Sequence, residues 1–221
     1  MPDKTDRVAE RAAALDRLIG RAPIVPVLAV DDPETAVPLA RALVAAGVPA
    51  LEIMLRTAAA LEAIRRVATA VPEIAVGAGT VLNPAQFAAA QIHGAQFIVS
   101  PGATPALYAA AIDTGLPFLP GVVTPGEIMA ALDHGFTRAK FFPAVTIGGP
   151  AALQMLAGAY PAMRFCPSGG LTAANIASFV REPNVFTAVA DWVAPKEMLA
   201  AGDWAGITAL TKAALQAAKG A

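Results

Sequence analysis

Five lysines occur in the chain, and four of them, Lys4, Lys196, Lys212 and Lys219, lie towards its ends. The fifth, Lys140, stands in an apolar run, Ala139-Lys140-Phe141-Phe142-Pro143-Ala144-Val145. An ammonium buried without a partner is so poorly solvated that it tends to lose its proton. The neutral amine is then the nucleophile that forms an imine with a carbonyl. The competing reading is a strand-end lysine whose head reaches water along an apolar surface. Glu52 is the second charge out of place, in Leu51-Glu52-Ile53-Met54-Leu55. Because strand side chains alternate, such a carboxylate faces an interior. There it could meet Lys140, as chemistry or as a structural ion pair.

Other polar groups fall at similar strand ends. Arg56, four residues after Glu52, can grip a carboxylate with two parallel hydrogen bonds. Thr80 offers a hydroxyl, and the Gly79-Thr80 turn backbone N–H groups, to the same anion. Ser168-Gly169-Gly170, read as opening a helix, has the backbone of an anion site. Lysine, carboxylate, arginine and hydroxyl together describe one reaction class. The amine forms an imine with a 2-keto acid, the carboxylate moves protons, and the arginine and hydroxyl hold the acid group. The protonated imine draws electrons from a neighbouring carbon–carbon bond, which breaks to an enamine. This is class I aldolase chemistry, with a covalent imine on Lys140 and no metal or other cofactor.

Other functions find little support. His93 and His134 each precede a glycine and read as helix C-termini, where imidazole suits the dipole. The single cysteine, Cys166, excludes an internal disulfide and a Cys-rich metal site. With net charge -1 and no basic cluster, a nucleic-acid footprint is absent. No apolar stretch of about 18 residues is uninterrupted, so no membrane span is expected. The start, Met1-Pro2-Asp3-Lys4-Thr5-Asp6-Arg7, has mixed charge and no apolar signal core, which makes the cytoplasm the expected compartment. Hydrophobic residues make up 56% and charged residues 15%. That implies a large core and a sparsely charged surface, favouring a homo-oligomer.

Apolar runs alternate with Ala-rich amphipathic stretches. The predicted strands are Ile24–Val30, Ala50–Leu55, Ile74–Gly79, Phe97–Ser100, Pro117–Leu119, Arg138–Phe142, Arg164–Pro167 and Val185–Ala190. Between them helices are expected near Pro33–Ala46, Ala58–Ala70, Pro84–His93, Thr104–Thr114, Pro125–His134, Pro150–Ala157 and Thr172–Arg181. A lead-in helix, Thr5–Ile19, and a closing helix, Trp204–Lys219, flank the set. Continuously apolar strands alternating with helices predict an α/β fold with a covered parallel sheet. Eight repeats favour a (β/α)8 barrel over an open sheet, as one domain spanning residues 1–221. No Gly-x-Gly-x-x-Gly follows the first strand, which disfavours a dinucleotide fold.

With these motifs in order, the chain resembles the 2-keto-3-deoxy-6-phosphogluconate (KDPG) / 4-hydroxy-2-oxoglutarate (KHG) aldolase family. The segments that carry the resemblance include Leu51-Glu52-Ile53-Met54-Leu55-Arg56-Thr57, Val76-Gly77-Ala78-Gly79-Thr80, Ser100-Pro101-Gly102, Leu119-Pro120-Gly121, Lys140-Phe141-Phe142-Pro143-Ala144 and Pro167-Ser168-Gly169-Gly170. The resemblance implies a trimeric (β/α)8 barrel that reversibly cleaves a 4-hydroxy-2-keto acid to pyruvate and an aldehyde. It implies Lys140 as the Schiff-base lysine, Glu52 as the general acid/base, Arg56 and Thr80 on the pyruvate carboxylate, and Pro101 and Phe142 shaping the pocket. Where the family usually has Gly-Gly-Ser-Trp, this chain has Val189-Ala190-Asp191-Trp192. That family segment, with the equivalents of Gly169 and Gly170, cradles phosphate. Ser168 replaces the usual Thr, Met54 another Thr, and Val145 a Glu. Asp191 adds a negative charge, so a weakened preference for phosphorylated substrates is expected. Natural divergence and deliberate engineering would leave the same pattern. A pyruvate-imine enzyme of another reaction type, or a non-catalytic trimeric scaffold, are the alternatives.

Overall fold

Every strand pairing among the described residues is parallel, as continuously apolar strands separated by helices require. The structure, a computed structural model, describes residues 4–220, with side chains from Asp6 onward. Met1, Pro2 and Asp3 of the mixed-charge N-terminus, and Ala221, lie outside the described residues. After α1 (Lys4–Leu18) come β1 (Ile24–Leu28), α2 (Ala36–Ala46), β2 (Ala50–Met54), α3 (Ala60–Ala70) and β3 (Ala75–Gly79). Next are α4 (Pro84–Ile92), β4 (Ile98–Val99), α5 (Pro105–Thr114), β5 (Phe118–Leu119), β6 (Gly121–Val122) and α6 (Pro125–Asp133). The remaining elements are β7 (Arg138–Phe141), α7 (Gly149–Ala159), β8 (Arg164–Pro167), α8 (Ile176–Val180), β9 (Ala188–Ala190), α9 (Lys196–Ala201) and α10 (Trp204–Lys219).

The strands form two hydrogen-bonded sheets, in the orders β5-β4-β3-β2-β1-β9 and β6-β7-β8. The expected fifth strand, Pro117–Leu119, is thus replaced by two short ones either side of Pro120. Proline has no N–H for the ladder, but its carbonyl still accepts from Lys140 N at 2.8 Å. At the other seam Phe165 and Val185 form an isolated parallel bridge, and only Ala188–Ala190 of the expected Val185–Ala190 is strand. The first strand ends at Leu28 rather than Val30.

Helix starts follow the sequence signals. Asn83, Thr104 and Thr124 accept backbone N–H bonds at the starts of α4, α5 and α6, each followed by proline, which needs no N–H in the first turn. The expected helix Thr172–Arg181 shrinks to α8. Asn175 accepts from Thr172 N and donates to Gly170 O, and this local side-chain bonding holds a turn where a helix would begin. The short α9 has no counterpart among the expected elements.

Alternation along the strands divides the core in two. Ile24, Leu51, Ile53, Val76, Ala78, Ile98, Phe118, Phe141 and Ala188 pack against the helices. The opposite face contributes Val25, Val27, Ala50, Phe97, Val99, Leu119, Cys166 and Val189 to a second cluster, joined by Leu15 and Ile19 of the α1 end. That cluster draws on strands of both sheets. The lead-in helix is fastened beside it by Arg138, whose guanidinium donates to both Asp16 carboxylate oxygens at 2.8 and 2.7 Å.

Candidate active site

Lys140 is the second charge of β7, after Arg138, paired in register with Gly121 on β6 and Cys166 on β8. Only 6% of it is exposed, so the amine does not reach water as a snorkelling lysine would. Its Nζ lies 3.6 Å from Glu52 Oε1 and 5.4 Å from the Phe142 ring centroid. Glu52, on β2 opposite Val27 and Gly77, is 2% exposed. Its Oε1 has no hydrogen-bond partner among the described residues. Burial pushes the Glu52 carboxyl above the usual carboxylate range, and the charges of Lys140 and Arg56 offset this only in part. A carboxyl so placed holds a proton more readily than a free one and can serve as both acid and base.

Two glycines make room for this pair. A Cβ on Gly79 would overlap the Glu52 carboxylate, and one on Gly121 would overlap the Pro101 carbonyl. Gly121 therefore lets the loop carrying Pro101 lie against the strand beside Lys140. Thr80, next after Gly79, has φ +58. A β-branched residue there is strained, and such strain gathers at functional sites. Thr80, Pro101 and Phe142 are all half-buried.

Arg56 lies just past the strand end, as expected, but away from the buried pair. It lies in the turn after β2, exposed to solvent, and its guanidinium has no salt-bridge partner among the described residues. Its field nonetheless reaches Glu52. Ser168-Gly169-Gly170 also departs from expectation, because it opens no helix: α8 starts at Ile176. The anion site of a helix start is therefore missing there. Instead Ser168 is buried, with its N–H bonded to Phe141 O at 3.0 Å. Gly169 and Gly170 have φ of +95 and +80, and a Cβ added at them would crowd Phe142 and Val145.

A cavity of about 670 Å³ opens at the C-terminal ends of β1, β2 and β9, lined by Val27, Met54, Arg56, Thr57 and Asp191 among others. Lys140 and Glu52 do not line it. Val27 is the register partner of Glu52, and Met54 is the next side chain on the Glu52 face of β2. The cavity therefore shares β1 and β2 with the carboxylate. Asp191 is exposed and belongs to this cavity rather than to the space around Lys140.

Some residues escaped the sequence reading. Gly79 is a space-maker for Glu52, which only the folded register reveals. Cys166 is the strand neighbour of Lys140; burial pushes its thiol up to about 12, so it packs as a neutral group. Asp31, Lys196 and Glu197 line the cavity; Asp31 directly follows the predicted first strand, and Lys196 and Glu197 follow Pro195. His93 and His134 do cap helices, each with Nδ1 on a carbonyl four residues earlier, at 2.7 and 2.8 Å. Among the described residues no group of three or more His, Cys, Asp or Glu could hold a metal, and no helix is long and apolar enough to cross a membrane.

Comparison with known proteins agrees with this geometry. The family described as KDPG and KHG aldolase matches residues 15–210. A 2-dehydro-3-deoxy-phosphogluconate aldolase of Pseudomonas aeruginosa is 45% identical over 207 residues, covering 94% of both chains. A KHG/KDPG aldolase of Escherichia coli is 45% identical over 92% of this chain and 96% of its own. A solved KDPG aldolase of Legionella pneumophila, with pyruvate captured at low pH as a covalent carbinolamine intermediate, superposes with TM-score 0.87. It is 36% identical and covers 92% of this chain and 97% of its own.

Proposed function

The chain belongs to the KDPG and KHG aldolase family, and from that premise we propose that Lys140 and Glu52 are its reacting groups. The enzyme is a class I aldolase that reversibly cleaves a 4-hydroxy-2-keto acid to pyruvate and an aldehyde. The observation that carries the residue assignment is the buried Lys140–Glu52 pair, 3.6 Å apart, with Glu52 Oε1 free to accept.

Lys140 Nζ adds to the C2 carbonyl of the substrate, giving a carbinolamine that loses water to the protonated imine. Glu52 supplies and takes the protons of these steps, directly or through a water. It then accepts the proton of the C4 hydroxyl as the C3–C4 electron pair moves towards the imine, releasing the aldehyde and leaving an enamine. Protonation at C3 and hydrolysis return pyruvate and the free amine. Arg56 and Thr80 hold the keto-acid carboxylate, and Pro101 and Phe142 shape the space around C3. Ser168, Gly169, Gly170 and Asp191 face the part of the substrate beyond C4.

The reading extends to the frame. The two sheets are parts of one eight-stranded barrel in a single domain, with β5 and β6 as one strand broken at Pro120. Support comes from the inner cluster shared by both sheets and the Phe165–Val185 bridge. The enzyme works as a cytoplasmic homotrimer without a metal. Incubation with pyruvate and borohydride, followed by peptide mass measurement, tests the mechanism. A reduced adduct on Lys140 is expected, Lys140→Ala abolishes adduct and turnover, and EDTA changes neither. Turnover surviving in Lys140→Ala would overturn it.

A further inference from the structure

By the alternation of strand side chains, the inner face of β3 presents two successive glycines, Gly77 and Gly79. β2 and β4 flank β3 on either side, and a side chain leans into the gap from each flank. A Cβ on Gly79 would overlap the Glu52 carboxylate from β2, and one on Gly77 would overlap the ring of Phe97, the residue just before β4. Ring and carboxylate thus lie over one strand, two residues apart, which is about 7 Å. Gly77 is also the register partner of Glu52. The ring therefore flanks the stem of Glu52 on the side that α1 closes, where Leu15 and Ile19 join the same cluster.

Phe97 is 1% exposed and is the largest fully buried side chain of the inner cluster. Few charged or titratable groups face Glu52. Lys140 from β7 and Arg56 from the turn after β2 favour the carboxylate, and the neutral Cys166 thiol faces it from β8. Arg138, two residues before Lys140, is paired with Asp16. At this level β1 offers only Val27 and β3 only glycines. Because Glu52 Oε1 lacks a partner, water in place of the ring would hydrate the carboxylate and favour its charged form. We propose that Phe97 is a positioning residue for the aldolase reaction, its ring filling the notch over Gly77 and keeping water off the Glu52 carboxyl. The inference rests on the reading of Glu52 as the acid/base.

The test follows the C=O stretch of protonated Glu52 by difference infrared spectroscopy as pH is varied in the resting enzyme. The band is assigned by its loss in Glu52→Gln. In the wild type its midpoint lies above the ordinary carboxylate range. Phe97→Leu, which takes away the ring, moves the midpoint down. Gly77→Ala, whose Cβ pushes the ring aside, moves it the same way. Ile64→Ala, a buried truncation on α3 in the outer core, lowers stability and leaves the midpoint in place. The limb of the kcat–pH profile that Glu52→Gln abolishes follows the band. A midpoint unmoved in a folded Phe97→Leu or Gly77→Ala protein, or moved equally by Ile64→Ala, overturns the proposal. The band is read without substrate, so the aldolase reading fails separately, through a missing pyruvate adduct on wild-type Lys140.

Discussion

At the scale of single residues, Glu52 is the group whose surroundings do most to set its behaviour. Burial raises its carboxyl above the ordinary range despite the neighbouring Lys140 and Arg56. A carboxyl whose folded value lies above its unfolded one binds more protons when folded, so its contribution to stability is fully present below the unfolded value. That contribution is lost as pH rises through the folded one. Glu52→Gln removes this dependence. Melting temperatures measured from pH 4 to pH 8 should therefore show the variant gaining on the wild type as pH rises; a constant gap would mean Glu52 is not raised. Turnover should fall by about 10²- to 10⁴-fold, the usual worth of a positioned acid/base. Gly79→Ala tests the space around the same group, since its Cβ would overlap the carboxylate. It is expected to approach Glu52→Gln in kcat while the protein remains folded by circular dichroism. Wild-type turnover in Gly79→Ala would show that Glu52 can move aside without consequence.

At the scale of elements, the lead-in helix acts as a floor for the site. Leu15 and Ile19 are buried in the inner cluster, and Asp16 holds Arg138, which lies two residues before Lys140 on the same strand. Ile19→Ala should cost about 2–5 kcal/mol in denaturant unfolding, as for other buried aliphatic truncations. Ile92, 82% exposed, is the control, and Ile92→Ala should change stability by no more than about 0.5 kcal/mol in the isolated chain. Equal effects would show that α1 does not support the interior. The order of elements was legible because the signals are local: apolar runs, prolines at helix starts, glycines at helix ends. Lys140 and Glu52 stood out for a similar reason, as charges in strands that are otherwise apolar. What stayed hidden depends on tertiary register. Pro120 divides a strand only because its missing N–H falls on the ladder, and Asn175 stops a helix only by bonding to Thr172 and Gly170. The exposure of Arg56 and the α9 wall of the cavity follow from loop paths that residue spacing does not encode.

At the scale of the whole molecule, the position of the reactive pair depends on strands far apart in sequence. Glu52 is held by β1 and β3 in the six-stranded sheet, whereas Lys140 is held by β6 and β8 in the other. If the sheets were independent, the distance between the two charges could drift as either sheet loosened. The shared inner cluster opposes this, because removing the Cys166 side from the Val25 side would expose both apolar surfaces to water. The seams themselves are thin: Phe165 N donates to Asn184 O at 2.7 Å and Phe186 N to Phe165 O at 3.1 Å, while Pro120 lies at the other. Cohesion across them therefore rests on packing more than on the ladder. Of the two tryptophans, Trp192 follows β9 and Trp204 opens α10, both packed on the outer core, so their fluorescence reports that side of the six-stranded sheet, and far-UV circular dichroism reports all helices. Unfolding in urea at fixed protein concentration should give coincident curves by the two probes, as a single cooperative unit requires. Separate midpoints would mean that the sheets unfold apart, and the contact of Lys140 with Glu52 across them would then need another source of rigidity.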